Sequence, residues 1–549
     1  MKRMIVTLLF LIIILSGCNG EKTLEETPEE TLAESPMPVF SDVTVHDPSI
    51  FRVNDESSND KFRIIGSFLR SAKTGDFISW QIDSEGGEPN GYSTALKYYP
   101  QDNPNPAVQT MTQQIEDVLR APENDDLNFF ASDIHRMPDG RFFHYYSLTS
   151  TWRCSAIGVA IANTVDGPYI TQGLFVRSAE AGDNKAPDGS AYFNYGPTAN
   201  NHPNCIDPQA FFDKTGTNFY MTYGSWSGGI FIYEMDTTTG LPKAASAMNA
   251  ESNGYGRKLI AADHTAIEAP YIIYSPESDY YYLFVSYGGL DTVGDFMNTG
   301  RYHMRVFRSR NPEGPYEDSI NTTAVNPNPL TSSNITNSGT TRNFRNFGVK
   351  IMGGYQFEHL PDENALSNAI GRNGFLSPGH NSAYYDPVSK KYFLIHHTRF
   401  VNSSPIVEAH EVRVREMFVN EDGWLIAAPF RYDGGTIRTF NINQLRGTWK
   451  IINHGRDINS SGLGESAYHV SQTYTFNTNG TIAGPQSGTW ELKSDGKTAH
   501  ITLGGKLYKG VFLRCWDEYH SVWVYAFTAL SGDGIALWGA TPGVATDLN

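Results

Sequence analysis

One arrangement recurs along the chain: a polar residue, a short β segment, a turn rich in Asp, Gly, Ser or Lys, then an aromatic strand. Asp47 precedes "KFRIIGS", Asp133 precedes "RFFHYYS", Asp207 precedes "NFYMTYGS", Glu268 precedes "YYYLFVSYG" and His380 precedes "KYFLIHHT". Successive units lie about 60 to 110 residues apart, room for four strands and their loops. Aromatic residues make up 13% of the chain, and a helical period is convincing only over 106–120, inside an insertion at about 83–128. The expectation is an all-β fold in which five units form a five-bladed β-propeller across 41–442. The first strand of each blade then lines a central channel, so repetition gathers Asp47, Asp133, Asp207, Glu268 and His380 about one axis. An isolated Asp-Pro is an ordinary turn starter; the set, at matching places in successive units, is what argues for a site.

From about residue 443 the texture changes to short alternating strands with tight turns, among them "LRGTWKII", "SGTWELK" and "SVWVYAFTAL". That composition predicts a small C-terminal β-barrel or sandwich domain over 443–549. Tryptophan in the "GTW" repeats reads as core, which makes the domain a support for the propeller rather than a sugar-binding surface.

The chain start, "MKRMIVTLLFLIIILSGC", joins basic residues to an apolar run too short to span a bilayer and stay, the pattern of an export signal. Leu15-Ser16-Gly17-Cys18 resembles the bacterial lipoprotein box, which makes 1–17 the signal peptide and Cys18 the lipidated residue. Residues 18–40 are acidic and Thr/Pro-rich, a flexible tether. The expected location is extracytoplasmic, with the membrane engaged through the lipid alone. The net charge of -17, with scattered basic residues, argues against nucleic acid as a partner and favours a neutral ligand. Cys154, Cys205 and Cys515 have no zinc-site spacing, and a Cys154–Cys205 bridge stays open.

Carboxylates pressed together cannot all ionise freely, so their pKa values separate. Paired acids of that kind suit glycosidic bond cleavage, where one protonates the leaving oxygen and the other activates water. No GxSxG elbow, HExxH or phosphate loop offers rival chemistry.

"VHDPSIF", "CIDPQAFFD", "AIEAPYII" and "SPGHNSAYYD" resemble successive blade motifs of glycoside hydrolase family 43, especially its endo-α-1,5-L-arabinanases, in order from residue 40 to about 440. "FGVKIMGGYQF" and "RYHMRVFRSRNPEGPY" resemble the same pattern, and two-domain members carry a small β domain after the propeller. The resemblance implies inverting hydrolysis of arabinan or arabino-oligosaccharides. It makes Asp47 the general base, Glu268 the general acid and Asp207 the group that tunes and orients that acid. It also implies that His380 helps hold a hydrated Ca2+ near the channel centre, and that Gly158, Asn204, Ser225, Trp226 and Asp133 lie near the sugar. Two departures stand out: Gly-Ser-Trp-Ser-Gly-Gly where the family reads Gly-Ser-Phe-Trp-Ser-Gly, and Phe130-Ala131-Ser132-Asp133 where many members have Trp-Ala-Pro-Asp. The insertion at 83–128 and the stretch at 325–345 are expected to rim the cleft. An exo-acting arabinofuranosidase or β-xylosidase is the alternative within the same chemistry, and a non-catalytic surface glycan-binding protein the alternative outside it.

Overall fold

In the computed structural model the described residues are 37–54, 59–84, 128–151, 154–178, 203–226, 228–244, 254–260, 267–288, 302–320, 348–361, 363, 374–401, 410–435, 437–456 and 468–543. The signal peptide with Cys18, nearly all of the tether, the helix expected at 106–120, most of the insertion around it and the stretch at 325–345 fall outside them.

The described chain is a five-bladed β-propeller followed by a closed eight-stranded barrel. Blades one to four are antiparallel sheets of four strands in chain order, running out from innermost strands Ser49–Arg52, Asn128–Arg136, Gln209–Phe212 and Ile267–Ser275. Blade five has Gly374–Asp386 innermost and carries two extra short strands on its flank. Neighbouring blades face each other, so the second strands are covered on both sides and read as continuous apolar runs rather than as alternation. Tyr280–Tyr287 ("YYYLFVSY") is the clearest case, buried along almost its whole length. The cores therefore sit between blades: Phe143, Tyr145 and Val159 of blade two pack with Phe219, Met221 and Tyr233 of blade three.

Turn chemistry closes the hairpins where the sequence suggests. In "DKTGTN", Asp213 Oδ1 accepts the backbone N–H groups of Thr215, Thr217 and Asn218, and Gly216 takes a φ of 70°.

The barrel runs from Gly447–Asn453 to Ala536–Ala540, and those two strands pair to close it. Trp449 and Trp490 fill its interior. Its outer wall shares a core with blades one, four and five, where Leu513, Val524 and Trp538 join Val349, Tyr355, Ile395 and Val414. Tyr355–Gln356 pairs in parallel with His469–Val470, and Lys350 Nζ donates to the His454 carbonyl at 2.6 Å. The barrel is thus bonded to the propeller along a continuous seam. Cys205 and Cys515 are free, buried thiols, which leaves no bridge at Cys205.

Candidate active site

The innermost strands reach the channel through a shared backbone irregularity. Asp47, Asp207, Ala269 and His380 take φ values of 57°, 59°, 55° and 43°, and the strand ladders run on from Ser49, Gln209, Tyr271 and Ser382. A non-glycine residue held in the left-handed region costs about 1–3 kcal/mol. Four such residues at equivalent places mark where the fold accepts strain to assemble one cluster.

This register corrects two sequence assignments. In blade two the ladder resumes at Asp133, so Asp133 matches Ser49, Gln209, Tyr271 and Ser382, while Ala131 stands at the level of Asp47. Glu268 sits one residue before the left-handed position that Ala269 occupies. Asp133 belongs instead to a second layer. It accepts from the Ser49 hydroxyl and from Ala210 N at 2.8 Å; Gln209 Oε1 accepts from Ile272 N; Ile50 N donates to Ser382 Oγ at 3.2 Å. These bonds tie blade one to two, two to three, three to four and five to one. Burial pushes the Asp133 carboxyl up to about 6, against the hydrogen bonds from Ser49 and Ala210. A cavity of about 340 Å³ is lined by Asp133, Gln209 and Tyr271 but by none of Asp47, Asp207, Glu268 and His380.

Asp47 is 6% exposed and heavily partnered. Its Oδ1 lies 2.9 Å from His380 Nδ1, its Oδ2 lies 2.9 Å from His46 Nδ1, the Ser67 hydroxyl donates to Oδ2, and its own N–H donates to His397 Nδ1. Burial alone would raise this carboxyl, but the charges and hydrogen bonds of His380 and His46 outweigh it and hold Asp47 well below the usual range. Burial and the neighbouring Glu268 and Asp47 charges raise Asp207 to about 7, while His380 and a hydrogen bond from Ala269 N oppose the rise. His380 Nε2 lies 4.0 Å from Asp207 Oδ1. Burial disfavours the His380 charge, yet Asp47, Asp207 and Glu268 together push it up to about 9.

Glu268 is held by three donors: Tyr302 OH on Oε1 at 2.7 Å, and Ser225 Oγ and Trp226 Nε1 on Oε2 at 3.0 Å each. Ser225 and Trp226, expected at the sugar, therefore grip the acid. Asn204 bridges Ser225 across a short antiparallel pair and accepts from the Ser155 hydroxyl, buried at 2% exposure. Gly158 is not brought to the cluster. It lies on the third strand of blade two, where a Cβ would come within 2.4 Å of the Tyr146 ring.

Tyr302, Ser67, His46 and His397 escaped the sequence reading. The two histidines lie inside the motifs "VHDPSIF" and "LIHHT", and adjacency to Asp47 is the signal for His46. Tyr302 carried no such mark. Its ring packs closely on Gly379, where a Cβ would sit 2.1 Å from Cε1. We expect Gly379→Ala to displace Tyr302 from Glu268, destabilising the fold by about 1–3 kcal/mol and lowering kcat; thermal melts beside initial rates check both.

A buried cluster in a five-bladed propeller, with one carboxylate held ionised and a second pushed up beside a third, defines an acid–base hydrolase site. Residues 110–345 match the family model for glycosyl hydrolases family 43, and 429–539 match that for a C-terminal lipocalin-like domain. An extracellular endo-α-(1→5)-L-arabinanase 2 of Bacillus subtilis is 39% identical over 510 residues, covering 92% of this chain and 94% of the relative. An extracellular endo-α-(1→5)-L-arabinanase of Thermotoga petrophila is 35% identical over 541 residues, covering 97% and 98%. Among solved structures, a family 43 glycoside hydrolase from Bacillus licheniformis superposes with a TM-score of 0.72 at 36% identity, covering 92% of this chain and 99% of that one. The chain belongs to glycoside hydrolase family 43.

Proposed function

We propose that this hydrolase cleaves internal α-1,5-L-arabinofuranosidic linkages of arabinan with inversion. The substrate reading is supported by the two relatives named endo-arabinanases, which match over nearly their whole length. The chemistry rests on one observation: the cluster holds Asp47 ionised while Asp207, beside Glu268, is pushed up to about 7.

Asp47 is the general base. Its partners keep it anionic, so it can take a proton from the water that attacks the anomeric carbon. Glu268 is the general acid and protonates the departing glycosidic oxygen; Tyr302, Ser225 and Trp226 fix its direction. Asp207 sits between them electrostatically and sets how much negative charge Glu268 meets.

Calcium fits at His380 in a limited way. With Nδ1 turned to Asp47, only Nε2 is left to face an ion, and calcium prefers oxygen, so water must supply most of the shell. A bound ion would add positive charge beside Asp47 and Asp207, the role that the His380 proton otherwise fills. The two relatives, both extracellular arabinanases by name, support work outside the cell; anchoring through lipid on Cys18 rests on the "LSGC" stretch.

Timed product analysis on linear 1,5-arabinan is the test. Mixed oligosaccharides from the first minutes, with inverted anomers by NMR, are expected. Arabinose alone would make the enzyme exo-acting, and retained binding without release would make it a glycan-binding protein. A chelated sample should lose activity and regain it with Ca2+; full activity after chelation removes the ion from the account. Fractionating producing cells reads the anchor: activity in the supernatant without detergent counts against it.

A further inference from the structure

We propose a second metal site, for a zinc-class divalent ion, at the seam between propeller and barrel, made by His359 Nδ1, Glu363 Oε2 and His520 Nε2. The three ligand atoms lie within 4.8 Å of one another, and they come from both halves of the molecule. His359 and Glu363 follow the short flanking strand Tyr355–Gln356 of blade five. His520 sits in the turn between barrel strands Lys506–Asp517 and Val522–Ser531.

The surroundings are those of a ligand set. Asp517 Oδ2 lies 2.7 Å from His520 Nδ1, and the backbone N–H groups of Tyr519 and His520 hold Asp517 Oδ1. A carboxylate that accepts the Nδ1 proton of a histidine leaves Nε2 as a lone pair, the arrangement behind many metal-bound imidazoles. That lone pair faces His359 Nδ1 at 3.1 Å and Glu363 Oε2 at 3.7 Å. Glu363 Oε1 is taken by Lys450 Nζ at 2.5 Å, and Leu360 N donates to Oε2, which aims the remaining lone pair of that oxygen.

Separations of 3.1 and 3.7 Å suit ligands about 2.0–2.2 Å from one tetrahedral ion. Two imidazoles and a carboxylate select zinc and its neighbours over calcium or magnesium. His359 is exposed, so water completes the tetrahedron from the solvent side. The ion clamps the barrel turn to the propeller, far in sequence from any of the acids. The rival arrangement is a proton on His359 Nδ1 shared with His520, with no metal.

The experiment uses the purified protein freed of any histidine tag, stripped with chelator, reloaded with Zn2+ and desalted. The His46–Asp47–His397 cluster is present in both samples compared, so the difference isolates the seam. Elemental analysis should find one more equivalent of zinc in the wild type than in His359→Ala, and Co2+ should give tetrahedral absorption bands in the wild type alone. Zinc should raise Tm by roughly 5 °C in the wild type and not in His359→Ala, with kcat on arabinan unchanged between them. Equal zinc content in the two proteins, or no zinc-dependent rise in Tm, overturns the site. Glu363→Gln, which keeps the side-chain volume, should lose the equivalent as well; retention there also counts against it.

Discussion

Glu268→Gln should lower kcat on arabinan by about 100- to 10,000-fold while KM changes little, the loss typical of a missing general acid. The fold should survive, because the amide can present its oxygen to Trp226 Nε1 and Ser225 Oγ and its NH2 to Tyr302, whose hydroxyl can accept as well as donate. What the amide cannot do is release a proton. An arabino-oligosaccharide whose leaving group is an acidic phenol needs no such proton, and the variant should regain most of its rate on it. A kcat on arabinan within tenfold of wild type would remove Glu268 from the acid's role.

Asp47→Asn is expected to cost a similar factor, about 100- to 10,000-fold in kcat, but with the opposite signature. Activation of water fails whatever the leaving group, so the aryl substrate should be no better for this variant than arabinan. Recovery on the aryl substrate would exchange the two assignments. The variant also loses the anion that holds the His380 charge, so His380 should titrate below the value of about 9 that its acidic neighbours give it. The stability consequence has a definite sign. The folded carboxyl sits below its ordinary value of 3.8, so its contribution is fully present above that value. It is lost as pH falls through the depressed folded value. The Tm gap between wild type and Asp47→Asn should therefore be widest at neutral pH and close under acid, which melts across pH would show.

The propeller was legible because each unit repeats a polar residue, a turn and an aromatic strand, and because blade-to-blade packing demands those aromatic runs. The cluster was legible in its members but not in its register. Asp133 looks like Asp47 in sequence, yet the irregularity in blade two places Ala131 at that level and sends Asp133 into the bonding layer beneath. A one- or two-residue shift on a strand changes which face or layer a side chain reaches, and no period in the sequence reports it. Gly158 lies outside the cluster, and its small size there makes room for the Tyr146 ring, a contact between neighbouring strands that the sequence does not report. The donors to Glu268 come from blades three and four, and their convergence exists only once the ring is closed.

The manner of that closure has a consequence for how the chain is made. Among the described residues the four main strands of every blade come from one contiguous stretch, and no strand crosses the gap between blades one and five. The join is made instead by Val412 N to the Val43 carbonyl, by Ile50 N to Ser382 Oγ, and by Asp42 against Arg431 at 2.9 Å. Contacts inside a blade are short-range and can form as each stretch emerges during synthesis, whereas the join links residues more than 300 positions apart and must come last. The chain therefore spends the interval as an open arc of blades with the flank of blade one uncovered. That interval, rather than the folding of any single blade, is when the chain is most exposed to proteases and to its own neighbours.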